Sequence, residues 1–447
     1  MQSKQKKFII AGLASLMAIV FTACGSSTPT SSSTSTPAQA STEAKATSEA
    51  KKNESVTLSV IISKDWYDEP IKWVFDEYQK KSGNKLDIQV TPGGQAFNDA
   101  VTTKAAVNEL PNIVFSYTNP TWLRNMNAEK LLVDITNEPF MKKLSDPITK
   151  DGVWLKSDKK FYQLPVGGFN GAGVIYNKDI FAKNGIEIPK SYDEFLAACE
   201  KLKQAGITPI FEGIKDSWPP LLYNFIGFAN EFTKKGFIDQ INAGTFDFTK
   251  SDAAKKLLSR HQELFAKGYM NKDAASATYD MEVAAFGQGK AAMVVQVDNL
   301  IPAALQKFPD SAKFIGMFPL PWDDNSVVPI DLSIGMSITK GKNEAAEKDF
   351  FNFFTSDDTL NGYYGKLKAL PPYKGVKADL NPGTSDLLKS FEAGKTVPFY
   401  SNLITPGLNV GFDLAGVILG AKPVDKALQE TQAGYIKSGK DNKITGF

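Results

Sequence analysis

His261 is the chain's one histidine, and Cys24 and Cys199 are its two cysteines. A multi-histidine metal site is thereby excluded, and His261 alone is left for activating a serine or cysteine nucleophile. It falls in the helix read from Asp252 to Lys267, on the face that carries Leu257, Leu258, Leu264 and Phe265. No nucleophile or metal ligand stands near it in sequence, so it reads as a core-edge side chain. Cys199 shares an apolar helical stripe with Phe195, Ala198 and Leu202 and reads as a small core residue. Glycine-rich phosphate loops, a GxSxG elbow and an HExxH pair are absent, so the hydrolase and cofactor classes that motifs reveal lack support. Paired carboxylates for glycoside hydrolysis stay open, because spacing along the chain says nothing of their convergence. What the chain does supply is flat faces, with 30 Phe, 14 Tyr and 6 Trp. Trp66 and Trp218 stand in the loop-like runs Lys64-Asp65-Trp66 and Asp216-Ser217-Trp218-Pro219-Pro220, among polar neighbours that favour exposure over core packing.

The elements that must position such groups alternate. Val56, Leu58, Val60 and Ile62 have strand spacing; Ile71, Val74, Phe75 and Tyr78 have helical spacing, with Gly83 as a stop; Leu86, Ile88 and Val90 form a second strand. Strand, helix and strand within some forty residues make a βαβ unit and hence an α/β sheet. The rhythm recurs at Ile113–Phe115, Gly173–Tyr176, Ala291–Val297, Phe314–Met317 and Leu332–Ile338. Ser191 and Glu194 form a capping box before a helix that buries Phe195, Ala198, Cys199 and Leu202. The helix from Asn343 to Phe354 is expected to bury Ala346, Phe350, Phe353 and Phe354. A chain of 447 residues exceeds one hydrophobic core, so two lobes are expected.

The first fifty-odd residues read as an address and a tether. Lys4, Lys6 and Lys7 precede an apolar run, Phe8–Ala23, that is shorter than the ~20 residues of a membrane-spanning helix. Ala23-Cys24-Gly25 resembles a bacterial lipobox, with Phe21 where Leu is usual. The resemblance implies a signal peptide over 1–23, acylation of Cys24 and anchoring at the extracytoplasmic face of the membrane. Residues 24–55 are rich in Ser, Thr, Ala and Pro and cannot bury enough apolar surface to offset their ordering entropy. Removing residues 1–23 takes away three lysines and no acid, turning the formal +2 into −1. A near-neutral body offers no footprint for nucleic acid.

The run Phe161-Tyr162-Gln163-Leu164-Pro165, then Tyr176-Asn177-Lys178-Asp179-Ile180-Phe181, then Pro189-Lys190-Ser191-Tyr192-Asp193-Glu194-Phe195, resembles the central signature of the extracellular solute-binding proteins of ABC sugar importers, the maltose-binding-like family. Glu109–Val114, Phe286–Met293 and Ser337–Gly341 resemble further boxes of that family, in the same order. The likeness covers residues 55–447. It implies a type II periplasmic-binding-protein fold: two α/β lobes with parallel and mixed sheets flanked by helices, and a ligand cleft at the hinge. By the same likeness the first lobe is 55–166 with 337–382, and the second is 167–336 with 383–447.

A sugar site needs rings for the apolar faces of a pyranose and planar polar groups for its hydroxyls. Carried over position by position, the family's cleft contacts fall on Lys64, Asp65 and Trp66, on Asn119, on Asn170 and on Trp218. Two of these, Asn119 and Asn170, stand where the family often has acids, which suits a ligand bound without charge. Where the family has Gly-x-Trp after the Ala-Met box, this chain reads Val297-Asp298-Asn299, which trades a ring for polar groups. The stretch Tyr400 to Phe412, carrying Asn402, Asn409 and Phe412, matches the last cleft segment loosely. A turn or capping role is the competing account of Asn119, Asn170 and Asp298. The expectation is a monomeric, non-catalytic receptor without cofactor or metal that passes a carbohydrate, a short oligosaccharide, to an ABC permease. The rivals are the same fold for a polyol, a sugar phosphate or a polyamine, a sensory subunit, and a surface glycoside-active enzyme.

Overall fold

In the computed structural model, residues 55–145, 148, 156–157, 160–323, 327–332, 334–406 and 414–447 are described. Cys24, Asn409 and Phe412 lie outside the described residues. The strands, in chain order, are β1 (Thr57–Ser63), β2 (Lys85–Thr91), β3 (Ile113–Tyr117), β4 (Lys156–Ser157), β5 (Lys160–Phe161), β6 (Leu164–Pro165) and β7 (Asn170–Asn177). They continue with β8 (Thr208–Ile210), β9 (Ala291–Val297), β10 (Ile315–Phe318), β11 (Val328–Asp331), β12 (Ile334–Ile338) and β13 (Thr396–Pro398).

The first sheet has the order β2-β1-β3-β12-β6. Its β1 runs parallel to β2 and β3, and β12 runs antiparallel to β3 and β6. Alternate residues of β1 serve opposite faces. Leu58, Val60 and Ile62 join a core with Ile71, Phe75 and Phe350, whereas Ile61 packs with Phe97, Val101 and Leu123. Both faces are covered, as a parallel core strand requires. The helix Glu69–Ser82 forms because Asp68 caps it by accepting from the Ile71 amide at 3.1 Å, and Gly83 at φ 76° ends it. Its buried residues are the four that the spacing picks out, Ile71, Val74, Phe75 and Tyr78. Edge strand β2 departs from expectation: Leu86 and Ile88 are only half-buried and Val90 is 41% exposed at the rim of the sheet.

The second sheet has the order β13-β11-β7-β9-β8, with β10 also on β7. Here β7 is antiparallel to β9, β10 and β11, while β8 runs parallel to β9 and β13 parallel to β11. Val174, Tyr176, Met293 and Val295 face the larger core, built with the helices Tyr192–Gln204, Leu221–Phe232 and Asp252–Ala266. Ile175 and Val294 face the other side, with Phe286, Leu300 and Leu387.

The chain leaves the first sheet for the second between β6 and β7 and returns between β11 and β12. It passes to the second sheet again before β13. These passages are laced together. The amides of Val166 and Gly167 donate to the Ile334 carbonyl at 3.0 and 3.2 Å, and the Phe169 amide donates to the Leu370 carbonyl at 2.9 Å. The Tyr373 hydroxyl donates to the Pro165 carbonyl at 2.6 Å. The strands lie so close that a Cβ on Gly168 would stand 2.4 Å from the Cβ of Ala369. A laced bundle of a few connecting segments is what lets two packed bodies rotate about a hinge without losing their cores.

Candidate functional site

Two adjoining cavities, of about 370 and 300 Å³, open beside these passages. They share Asn170 and Asn299 in their walls, so they form one continuous cleft. Residues from the ends of strands of both sheets contribute: Asp65 and Trp66 after β1, Tyr117 to Asn119 at the end of β3, and Asp298 and Asn299 after β9. Ligands of open α/β sheets bind outside such carboxyl ends.

In the larger cavity, Trp66 is half-buried and held edge-on by two rings, Tyr117 at 4.9 Å and Phe97 at 5.0 Å. The exposed carboxylate of Asp65 lies over Gly93, where a Cβ would meet its Oδ2. Asp68 and Lys368 also line this cavity. Burial pushes the Asp68 carboxyl above its usual range, against the pull of the Ile71 amide. Asp298, 4% exposed, accepts from the Gly171 amide with Oδ1 at 3.1 Å and from the Thr384 hydroxyl with Oδ2 at 2.8 Å. Its burial raises it to about 6, with those two bonds pulling the other way. Both oxygens are thus engaged by the protein, and Asp298 braces the cavity wall from below.

The smaller cavity has a different character. Trp218, 37% exposed, packs against Tyr279 at 4.9 Å and faces the cleft from a tight turn in which Ser217 takes φ 64°. Phe225 and Phe399 stack at 4.1 Å with 10° between their planes, and Tyr117 adds a third aromatic wall. Around these rings stand four amides, Asn119, Asn170, Asn299 and Asn402, together with Asp331. Asn119 caps the helix Pro120–Asn125 by accepting from the Trp122 amide at 2.9 Å, which occupies its oxygen and not its nitrogen. Asn402 donates to Asp331 Oδ1 at 2.9 Å, which orients that carboxylate. Asn299 is exposed at the start of the helix Leu300–Lys307, with no side-chain cap bond.

The cleft thus gathers Asp65, Trp66, Asn119, Asn170, Trp218, Asp298 and Asn299. Lys64 is exposed and lines neither cavity; its amide donates to the Thr91 carbonyl at 2.8 Å. Asn402, from the loosely matched last cleft segment, lines the smaller cavity, whereas Tyr117, Phe225, Asp331, Phe399, Thr384 and Lys368 are not among the residues that the sequence points to. Tyr117 alone carried a signal, as the ring two residues before Asn119. Among the described residues no group of three or more His, Cys, Asp or Glu is set to hold a metal ion. A wall of rings edged with amides and few charges has the chemistry to stack on apolar faces and to hydrogen-bond hydroxyl groups.

Comparison with known proteins agrees with this geometry. Residues 64–360 match the family described as bacterial extracellular solute-binding protein. The chain is 23% identical over 395 residues to the multiple sugar-binding protein of Streptococcus mutans, covering 86% of each. It is 24% identical over 404 residues to an uncharacterized ABC transporter extracellular-binding protein of Pyrococcus horikoshii, covering 83% of this chain and 86% of that one. The fold superimposes on RafE, known from Streptococcus pneumoniae, in complex with raffinose, with a TM-score of 0.73, 19% identity, and 86% of this chain and 100% of that chain covered. It also superimposes on a Bacillus licheniformis sugar transporter in complex with stachyose, with a TM-score of 0.65, 18% identity, and 86% and 100% covered. The two-sheet architecture, the laced crossings and the match over most of the chain lead to one conclusion: this protein belongs to the bacterial extracellular solute-binding protein family.

Proposed function

We propose that the protein is a lipid-anchored, non-catalytic receptor that captures a neutral oligosaccharide between two lobes and delivers it to an ABC permease. The observation that carries the sugar reading is the smaller cavity, in which Trp218, Tyr117 and the Phe225–Phe399 stack face Asn119, Asn170, Asn299 and Asn402. Relatives whose descriptions name sugars, raffinose and stachyose among them, support it. Trp66, Trp218, Asn119, Asn170 and Asn299 are the ligand contacts of this reading, with Asp65 at the rim. Asp298 acts through the wall. The lobes divide as 55–166 with 337–382, and 167–336 with 383–447; the three crossings support that division, although the second crossing precedes β12 and so falls before Ile334, a few residues earlier. Capture is by a monomer, and the ligand closes the lobes about the laced crossings, since binding energy that needs both walls is realised in the closed state. The lipobox-like Ala23-Cys24-Gly25 supports an anchor at Cys24, with residues 24–55 as the tether.

One observation favours a second reading. Asp65, Asp68 and Asp298 all border the larger cavity, which would suit a cationic solute such as a polyamine. Lys368 in the same wall and the engaged oxygens of Asp298 weigh against it. The test is a thermal-shift and tryptophan-fluorescence screen with neutral oligosaccharides, polyols, sugar phosphates and polyamines, with product analysis on the same samples. A neutral oligosaccharide that raises the melting temperature and perturbs the emission without being cleaved is the expected result. A response confined to charged solutes overturns the sugar reading, and cleavage overturns the receptor reading.

A further inference from the structure

Glu282 is buried in the helix Tyr279–Gly287 and touches neither cavity. Its two carboxyl oxygens point to two different elements. Oε1 accepts from the Gly213 amide at 2.6 Å, and Oε2 accepts from Gln296 Nε2 at 2.8 Å. Gly213 opens the loop that ends in Trp218; Gln296 lies in β9 two residues before Asp298 and three before Asn299. The same helix holds the loop again at its first residue, where the Tyr279 amide donates to Asp216 Oδ2 at 2.7 Å and the Tyr279 ring packs on Trp218. The fit at Gly213 is tight: a Cβ there would stand 2.8 Å from the Thr278 carbonyl carbon and 3.1 Å from Glu282 Oε1.

We propose that Glu282 is a positioning residue for the ligand site: by tying the Trp218 loop to β9 it sets the separation of Trp218 from Asn299 across the smaller cavity. The affinity part of this claim rests on the reading that these two side chains touch the ligand; the geometric part does not. A two-ended bond of this kind is strong support because both partners are buried and neither has water to fall back on.

The brace is also sensitive to protonation. The groups acting on Glu282 are Asp216 from the loop and the buried Glu212 at the loop's start, both of like charge, with Tyr279 from its own helix. Glu212 in turn faces the buried hydroxyl of Tyr223, on the helix Leu221–Phe232, whose ring stacks on His261 of the helix Asp252–Ala266. Burial and mutual repulsion raise both carboxyls above their usual range, so the pair retains a proton at neutral pH. Losing it puts a charge beside Asp216 while strengthening the two bonds that Glu282 accepts, so the Trp218 loop shifts against β9.

The test is fluorine NMR of the protein labelled with fluorotryptophan, with the Trp218 resonance assigned by its loss in Trp218→Phe. The wild-type resonance should shift as pH rises past neutrality. That titration should vanish in Glu282→Gln and shrink in Asp216→Asn, which removes the charge that ionised Glu282 repels. Gly213→Ala should displace the resonance at every pH while leaving Glu282 and its core in place. In affinity, Glu282→Leu should weaken the oligosaccharide found in the screen about tenfold, as expected for a coupled buried pair, and Glu282→Gln should restore most of it. A Trp218 resonance that is unmoved by Gly213→Ala, or whose titration survives Glu282→Gln, overturns the proposal. If no oligosaccharide binds the wild type, the functional reading fails and the resonance experiments still decide the brace.

Discussion

The carboxylate of Asp298, at the end of β9, accepts the hydroxyl of Thr384, in the first turn of the helix Pro382–Glu392, at 2.8 Å. The contact joins residues 86 apart in sequence and belongs to the cavity wall itself. Its other oxygen takes the Gly171 amide just after Asn170, so one buried carboxylate fixes the start of β7, the end of β9 and the last crossing of the chain. Asp298 thereby holds three separate segments of the cavity wall together.

Replacing Thr384 by Val keeps the volume and removes the donor. Oδ2 of Asp298 is then left buried without that partner, which costs about 1–3 kcal/mol. Calorimetry should show a fall in melting temperature of several degrees, and an unchanged melting temperature would mean that water replaces the hydroxyl.

Asp298 also gives a signed pH effect. Burial raises it from 3.8 in the unfolded chain to about 6 in the folded one. Between those values the folded state holds the proton that the unfolded state has lost, so this group's contribution to stability falls as pH rises from about 4 to 6 and is flat above. Chemical denaturation of the wild type and of Asp298→Asn over that window should therefore differ in slope, the wild type losing more stability with rising pH, by an amount of order 2–3 kcal/mol over the window. Parallel slopes would show that the group is already ionised at pH 4.

How far the sequence discloses all this depends on how local the cause is. The helix Tyr192–Gln204 is legible because its signals are its own: Ser191 caps the Glu194 amide at 3.2 Å, and Phe195, Ala198, Cys199 and Leu202 are all buried. Even there the return bond goes from the Lys190 amide to Glu194 at 2.7 Å, one residue earlier than a capping box predicts. The helix Glu344–Phe354 is less legible. It buries Phe351 and Glu347, whereas Phe353 and Ala346 are only half-buried. The apolar stripe misses Glu347 because what buries it is a hydrogen bond from Asn112 at 2.6 Å, supplied by a distant strand end. Strands β11 and β13 escape notice because each is short and contains a proline, Pro329 and Pro398. The cleft divides likewise. Loop residues such as Trp66 and Trp218 advertise themselves by ring and polar neighbours, whereas Tyr117, Phe399 and Asn402 become one wall only through the crossings, which no spacing records.

His261 lies inside the core rather than at its edge. It is fully buried, its ring stacks on Tyr223 at 3.9 Å, and neither ring nitrogen has a hydrogen-bond partner among the described residues. Burial lowers it from 6.5 to about 3, so it stays neutral while the unfolded chain takes up a proton. The folded state therefore loses stability as pH falls through that range. His261→Leu removes both the unpaired nitrogens and the titration. The variant should be at least as stable as the wild type at pH 7, and its advantage should grow as the pH is lowered from 6.5, which denaturation at several pH values would measure. A variant that is weaker throughout would reveal an internal water on those nitrogens.

The two cleft tryptophans should separate binding from folding. Trp218 is one of the more exposed large apolar side chains and, among the described residues, leans on the one ring of Tyr279, so Trp218→Ala should cost under about 1 kcal/mol of stability, as exposed positions do. Trp66 is interlocked with Phe97 and Tyr117, and Trp66→Ala should cost about 2–3 kcal/mol, somewhat less than a fully buried aromatic. Both should weaken the oligosaccharide by tenfold or more, the scale of an aromatic anchor at a binding site. Titration calorimetry beside thermal unfolding resolves the two effects. Loss of affinity in a Trp218→Ala protein that melts like the wild type would make Trp218 a ligand ring. Unchanged affinity there, with loss at Trp66 only, would move the ligand into the larger cavity, where Asp65, Asp68 and Lys368 would then set its chemistry.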